Sequence, residues 1–80
     1  MYTVYVLHSL KDNQWYIGCT SNLENRIIAH SKGQVRSTKH RLPIELLHKE
    51  EFANKYEAFA MERFYKTAVG KRVLKKKLGN

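Results

Sequence analysis

Eighty residues carry fifteen Lys and Arg against seven Asp and Glu, a net charge of +8 with a pI near 9.8. A chain this short builds one core, so one domain over residues 1–80 is expected. With 42% hydrophobic residues it is not a disordered polyelectrolyte, and the lone Cys19 rules out an internal disulfide.

Tyr2 to His8 (YTVYVLH) is rich in β-branched and aromatic residues and reads as a strand. It has neither the basic start nor the long apolar run of a signal peptide. No stretch approaches the roughly 20 apolar residues that cross a bilayer. A cytoplasmic protein with no membrane contact is therefore expected. Ser9 to Asn13 (SLKDN) is a polar turn, and Gln14 to Cys19 (QWYIGC) is a second strand, which makes an antiparallel hairpin. Alternation puts Tyr5 and Leu7 on one face of the first strand and Val4 and Val6 on the other. In the second strand it separates Tyr16 and Gly18 from Trp15, Ile17 and Cys19. Apolar side chains on both faces imply that the hairpin is covered on both sides.

Ser21 followed by Glu24 has the form of a capping box, opening a helix that Gly33 ends. Leu23 and Ile27 share one side of it, with Arg26 and His30 flanking that stripe. Gln34 to Arg41 (QVRSTKHR) reads as a basic loop. After Pro43, Ile44 to His48 (IELLH) reads as a third strand. Asn54 caps a helix over Lys55 to Lys66, with Tyr56, Phe59, Ala60 and Phe64 as its expected buried face. Gly70 is read as a break before a short basic helix, Lys71 to Leu78. The expected fold is α+β in the order β-β-α-β-α-α, a three-stranded sheet flanked by helices.

The charge is concentrated at one end. From Met61 onward there are seven basic side chains against the single acid Glu62. Such a field attracts polyanions by releasing their condensed counterions. Arg36, Lys39 and Arg41 of the loop, with Lys71, Lys75, Lys76 and Lys77, are the expected nucleic-acid contacts. Singly, Tyr5 and Tyr16 would pass for packing, Arg26 and His30 for a surface pair, and Glu62 and Lys66 for an i, i+4 ion pair. Without a second cysteine, Cys19 makes no zinc site.

Taken together, the residues say more. Val4-Tyr5, then Tyr16-Ile17-Gly18, then Arg26 and His30, then Glu62 form an ordered set that resembles the GIY-YIG nuclease superfamily. The YIG triplet stands unaltered in WYIGCT, and an arginine follows its tyrosine by ten residues within SNLENRIIAH. The glutamate lies in EAFAMERFYK, similar to the family helix that carries a metal-binding Glu. STKHRLPIELLHKE and KTAVGKRVLKKKL look like the small stand-alone bacterial members. Thr3-Val4-Tyr5 keeps the tyrosine of the first triplet without its glycine. KRVLKKKL lacks the asparagine that some members carry.

The resemblance implies a divalent-metal-dependent endonuclease that hydrolyses phosphodiester bonds in DNA with low sequence specificity. Phosphodiester hydrolysis gathers negative charge on phosphoryl oxygens, which Arg26 can meet with a fixed fork of donors. Glu62 is the expected metal ligand, and Mg²⁺ or Mn²⁺ suits a site with one carboxylate because much of its shell is water and substrate. By resemblance, Tyr5 orients or deprotonates the attacking water, and Tyr16 bonds the phosphate or the water. His30 is a proton acceptor or orienter, being of the type that titrates near neutrality. Trp15 belongs to the core. These five site residues (Tyr5, Tyr16, Arg26, His30, Glu62) are expected to line one cleft. Two other readings stay open: a nucleic-acid-binding module of the same fold with weak or no turnover, and a subunit whose basic tail docks on an acidic protein. DNA, RNA or a branched form as substrate, and a homodimer, are also left open.

Overall fold

A computed structural model describes residues 1–79. The elements are β1 (Tyr2–Ser9), β2 (Trp15–Thr20), α1 (Leu23–Ser31), a 3₁₀ turn at Lys39–Arg41, β3 (Ile44–Phe52), α2 (Lys55–Tyr65) and α3 (Ala68–Lys77). This is the expected β-β-α-β-α-α order.

The sheet is antiparallel in the order β2-β1-β3, so β1 is central. The hairpin closes where Asn13 takes a left-handed φ of 60°, a conformation asparagine tolerates better than most residues. Ser9 N–H to Gln14 C=O and Asn13 N–H to Ser9 C=O, both 2.9 Å, seal it. Being central, β1 is buried on both faces. Val4 and Val6 pack with Ile17, Ala58, Tyr65 and Leu74 beneath α2 and α3. Tyr5 and Leu7, each about 1% exposed, face the other way. The expected two-sided burial of the hairpin is therefore present. Between Val6 and Leu7 the β1–β3 register slips by one residue, a bulge on β3.

Three boundaries and one buried face differ from the sequence reading. The cap of α1 is Asn22, not Ser21; its side chain accepts from Asn25 N–H, while Thr20 Oγ1 accepts from Asn22 N–H and sets up the turn. β3 continues four residues beyond His48, to Phe52. The polar residue Glu50 on its core face disguised the alternation; its carboxylate accepts there from Tyr65 Oη and Lys77 Nζ and lies within hydrogen-bond distance of His48 Nε2. The buried side of α2 is Ala58 and Tyr65, with Met61 and Glu62 half-buried between them. Tyr56, Phe59, Ala60 and Phe64 are all exposed, although Tyr2 stacks edge-on to Phe59.

Gly70 does not break a helix but lies inside α3, which starts at Ala68 with Thr67 as its cap. Its value is the missing side chain. A Cβ there would collide with the Phe64 carbonyl and lie 2.9 Å from Tyr65 Cα, so glycine lets α3 cross the end of α2 in contact. That closeness outweighs the roughly 1 kcal/mol that glycine costs a helix relative to alanine. None of the described helices is long and apolar enough to cross a membrane.

Candidate active site

Strand pairing sets Tyr5 directly opposite Gly18 of β2. The Tyr5 ring lies across that glycine so closely that any Cβ would run into its hydroxyl end. The glycine of the YIG triplet is therefore a bed for the tyrosine of the other strand, and the Tyr5 hydroxyl is carried out over β2, an edge strand. Tyr16, two residues before Gly18, shares this face, with ring centroids 6.4 Å from Tyr5.

Helix α1 covers the same face. Its buried residue is His30, fully enclosed, with rings edge-on to Tyr5 at 5.7 Å and to Tyr16 at 5.2 Å. His30 Nε2 stands 3.1 Å from the Tyr5 hydroxyl. One turn earlier, exposed Arg26 donates a long bond from Nε to the Tyr5 oxygen at 3.4 Å. Three of the expected residues thus gather around the Tyr5 phenol, His30 and Arg26 by hydrogen bonds and Tyr16 by its ring, with His30 beneath and Arg26 on the solvent side.

Burial raises the Tyr5 pKa above its ordinary value, against the pull of the Arg26 guanidinium, so Tyr5 is a neutral phenol near pH 7. Burial and then the Arg26 charge lower that of His30, which is neutral as well. Both groups are neutral and within hydrogen-bond reach of one another.

Glu62 arrives from the opposite layer, since α1 and α2 lie on different faces of the sheet. Its carboxylate accepts from Lys66 Nζ at 3.2 Å, and its side chain is 22% exposed. No hydrogen bond joins it to the other four among the described residues. Its charge is nonetheless felt at Tyr5 and at Cys19 of β2, raising the pKa of each behind the larger effect of burial. No group of three or more His, Cys, Asp or Glu able to hold a metal occurs among the described residues. One carboxylate fits a hydrated Mg²⁺ or Mn²⁺ completed by substrate oxygens and does not fit a zinc cage.

The basic residues divide between the layers. Arg36 and Lys39 are exposed in the loop beside α1. Arg41 is half-buried and paired with Asp12 at 3.2 Å, and its carbonyl accepts from Ser9 Oγ at 2.6 Å. Lys71 and Lys75, on α3, line a cavity of about 480 Å³ with Asn13, Gln14, Trp15 and Ile17. Lys76 is exposed. Lys77 is engaged, its Nζ 2.6 Å from Tyr65 Oη and 3.2 Å from Glu50. Trp15 packs against the core, as expected.

Sequence reasoning missed Thr38. It is about 1% exposed and stands 2.7 Å from His30 Nδ1, yet in the sequence it is one hydroxyl in a basic loop.

Comparison with known proteins bears on all of this. The model of the GIY-YIG catalytic domain matches residues 1–77. The chain is 40% identical over 63 residues to UPF0213 protein YazA of Bacillus subtilis, covering 78% of this chain and 64% of that protein. It is 42% identical over 65 residues to UPF0213 protein SH2523 of Staphylococcus haemolyticus, covering 80% and 78%. It is 44% identical over 64 residues to UPF0213 protein CPE1444 of Clostridium perfringens, covering 79% and 68%. The chain thus spans somewhat under two thirds of the length of the first of these relatives. No solved structure matches at a significant level.

Proposed function

The chain belongs to the GIY-YIG family, a superfamily of nucleases, and from that premise we propose that it is a metal-dependent endonuclease hydrolysing DNA phosphodiesters with low sequence specificity. The observation that carries this reading is the convergence of Arg26 and His30 on the buried Tyr5 hydroxyl. Packing alone would not require a buried phenol to meet both a cation and a neutral base.

Water attacking phosphorus must lose a proton, and Tyr5 is too weak an acid to stand as a phenolate near pH 7. It works as a relay: the water gives its proton to the Tyr5 oxygen while the phenol proton passes to His30 Nε2, 3.1 Å away. Arg26 meets the charge that builds on the phosphoryl oxygens, and Tyr16 hydrogen-bonds the phosphate or the water. Glu62 is the side chain that would hold Mg²⁺ or Mn²⁺. The ion, when bound, supplies Lewis-acid neutralisation of the phosphate. The Lys and Arg side chains contact phosphates, which position a duplex without reading its sequence.

One observation favours a second reading. Glu62 is bonded to Lys66 and makes no hydrogen bond to the other four site residues, as a binding module without turnover would allow. Plasmid nicking in Mg²⁺ by purified protein separates the two. Glu62→Gln is expected to abolish cleavage while binding stays the same or tightens. Arg26→Ala is expected to slow cleavage by roughly 10²-fold or more, with weaker binding. Cleavage by Glu62→Gln at the parent rate would replace the nuclease reading with the binding module.

A further inference from the structure

We propose that Thr38 is a positioning residue that holds His30 in the tautomer protonated on Nδ1, leaving Nε2 bare toward Tyr5. The role in turnover rests on the nuclease reading above; the tautomer itself does not.

One hydrogen-bond chain runs from Arg26 through Tyr5 and His30 to Thr38, and the fixed donor at its head sets the proton position. At the Tyr5 end, Arg26 Nε–H points at the phenol oxygen, and a guanidinium has no acceptor to offer in return. The phenol hydrogen is therefore free to point to His30 Nε2, 3.1 Å away, and that nitrogen accepts. At the other end, the Thr38 hydroxyl is held beside the ring by its turn, in which the Val35 carbonyl accepts from Thr38 N–H at 3.1 Å and Lys39 N–H at 3.0 Å, with the hydroxyl 3.4 Å from the same oxygen. The Thr38 oxygen lies 2.7 Å from His30 Nδ1 and can accept from it. Neutral imidazole carries one N–H; with Nε2 accepting from Tyr5 it sits on Nδ1, and the Thr38 oxygen is the one partner at 2.7 Å that receives it.

Burial makes the arrangement decisive. His30 and Thr38 are 0% and 1% exposed, so water does not substitute for either partner. With the opposite tautomer, Nε2–H would donate to the Tyr5 oxygen, where Arg26 already donates, and the phenol proton would be turned away from its acceptor. Relay from Tyr5 to His30 would then be blocked although every site residue stayed in place.

The test uses the whole protein and two substitutions. Thr38→Val keeps the shape and removes the oxygen; Thr38→Ser keeps the oxygen. Two-bond ¹⁵N–¹H NMR of the imidazoles reads the tautomer directly, with His30 assigned by its loss in His30→Gln. The parent and Thr38→Ser are expected to carry the proton on Nδ1, and Thr38→Val to move it to Nε2. In plasmid nicking with Mg²⁺, Thr38→Val is expected to lose at least tenfold in kcat with little change in KM, and Thr38→Ser to recover most of it. A parent His30 protonated on Nε2 would overturn the proposal, as would an unchanged tautomer in Thr38→Val. If the parent shows the Nδ1 tautomer, Thr38→Val shifts it, and no variant or parent cuts DNA, the tautomer assignment stands and the nuclease reading is what fails. If the parent cuts and Thr38→Val cuts with the same kcat, the positioning role in catalysis is overturned.

Discussion

A histidine sealed between a phenol and a threonine hydroxyl gives up its usual role as a surface proton sensor. His30 is neutral in the folded state because burial and the Arg26 charge lower its pKa below the ordinary 6.5. An unfolded chain binds a proton at this position as pH falls below about 6.5, and the folded chain does so only at lower pH. Its contribution to stability is therefore full above that value and is lost as pH falls from there through the lowered folded pKa. Surface His8 has the opposite sign, since its hydrogen bond to Glu45 raises its pKa. Thermal melting between pH 5 and 7.5 should show the parent losing Tm toward the acid end. His30→Gln should melt lower throughout but lose part of that slope. A His30→Gln slope between pH 5 and 7 equal to the parent's would contradict the buried neutral imidazole, because His8 is common to both. Nicking activity should fall in the same direction, because protonated His30 cannot accept from Tyr5.

The helices are held by contacts that periodicity does not describe. Helix α2 offers the core only Ala58 and Tyr65 as buried residues, and α3 offers Gly70 and Leu74. So small an apolar face is supplemented by close approach and by a polar clasp. Tyr65 Oη donates to Glu50 at 2.6 Å, and Lys77 donates to both, tying α2 and α3 to β3. Although burial opposes the charge, the bonds from Tyr65, His48 and Lys77 hold the Glu50 carboxyl below its ordinary pKa, so the clasp weakens only in acid. Gly70→Ala should be destabilising although alanine is the better helix former, because its methyl enters the Phe64 carbonyl. The expected loss is about 3 kcal/mol, or roughly 12 °C or more in Tm for a domain of this size. A stabilised Gly70→Ala would show that α2 and α3 can separate freely, against the packing described here.

At the scale of the molecule, the charge of +8 is not one continuous patch. Arg36 and Lys39 flank the site from the α1 layer, while Lys71 and Lys75 lie across the sheet beside Trp15. Counterion release predicts that each lysine that touches a phosphate adds about 0.9 to the slope of log affinity against log salt on duplex DNA. Lys71→Gln and Lys75→Gln should each flatten that slope by up to this amount. Lys77→Gln should leave it nearly unchanged and lower Tm instead, since its ammonium is spent on Glu50 and Tyr65. Equal effects from all three would mean that the basic face acts only as diffuse charge. By itself the sequence determined the element order, the hairpin with its two faces, and the ordered residues that mark the family. Strand alternation and i, i+4 spacing are local rules that suffice for the elements and their faces, while the family was marked by resemblance to its motif. Tertiary structure alone decided that the face of α2 read as buried is exposed, that Gly70 is a contact between helices, and that Lys77 is not free. It also decided that Thr38 meets His30 and that Glu62 approaches from the far side of the sheet. The reason is physical: each depends on which residues distant in the chain are packed together, and neither composition nor periodicity carries that distance.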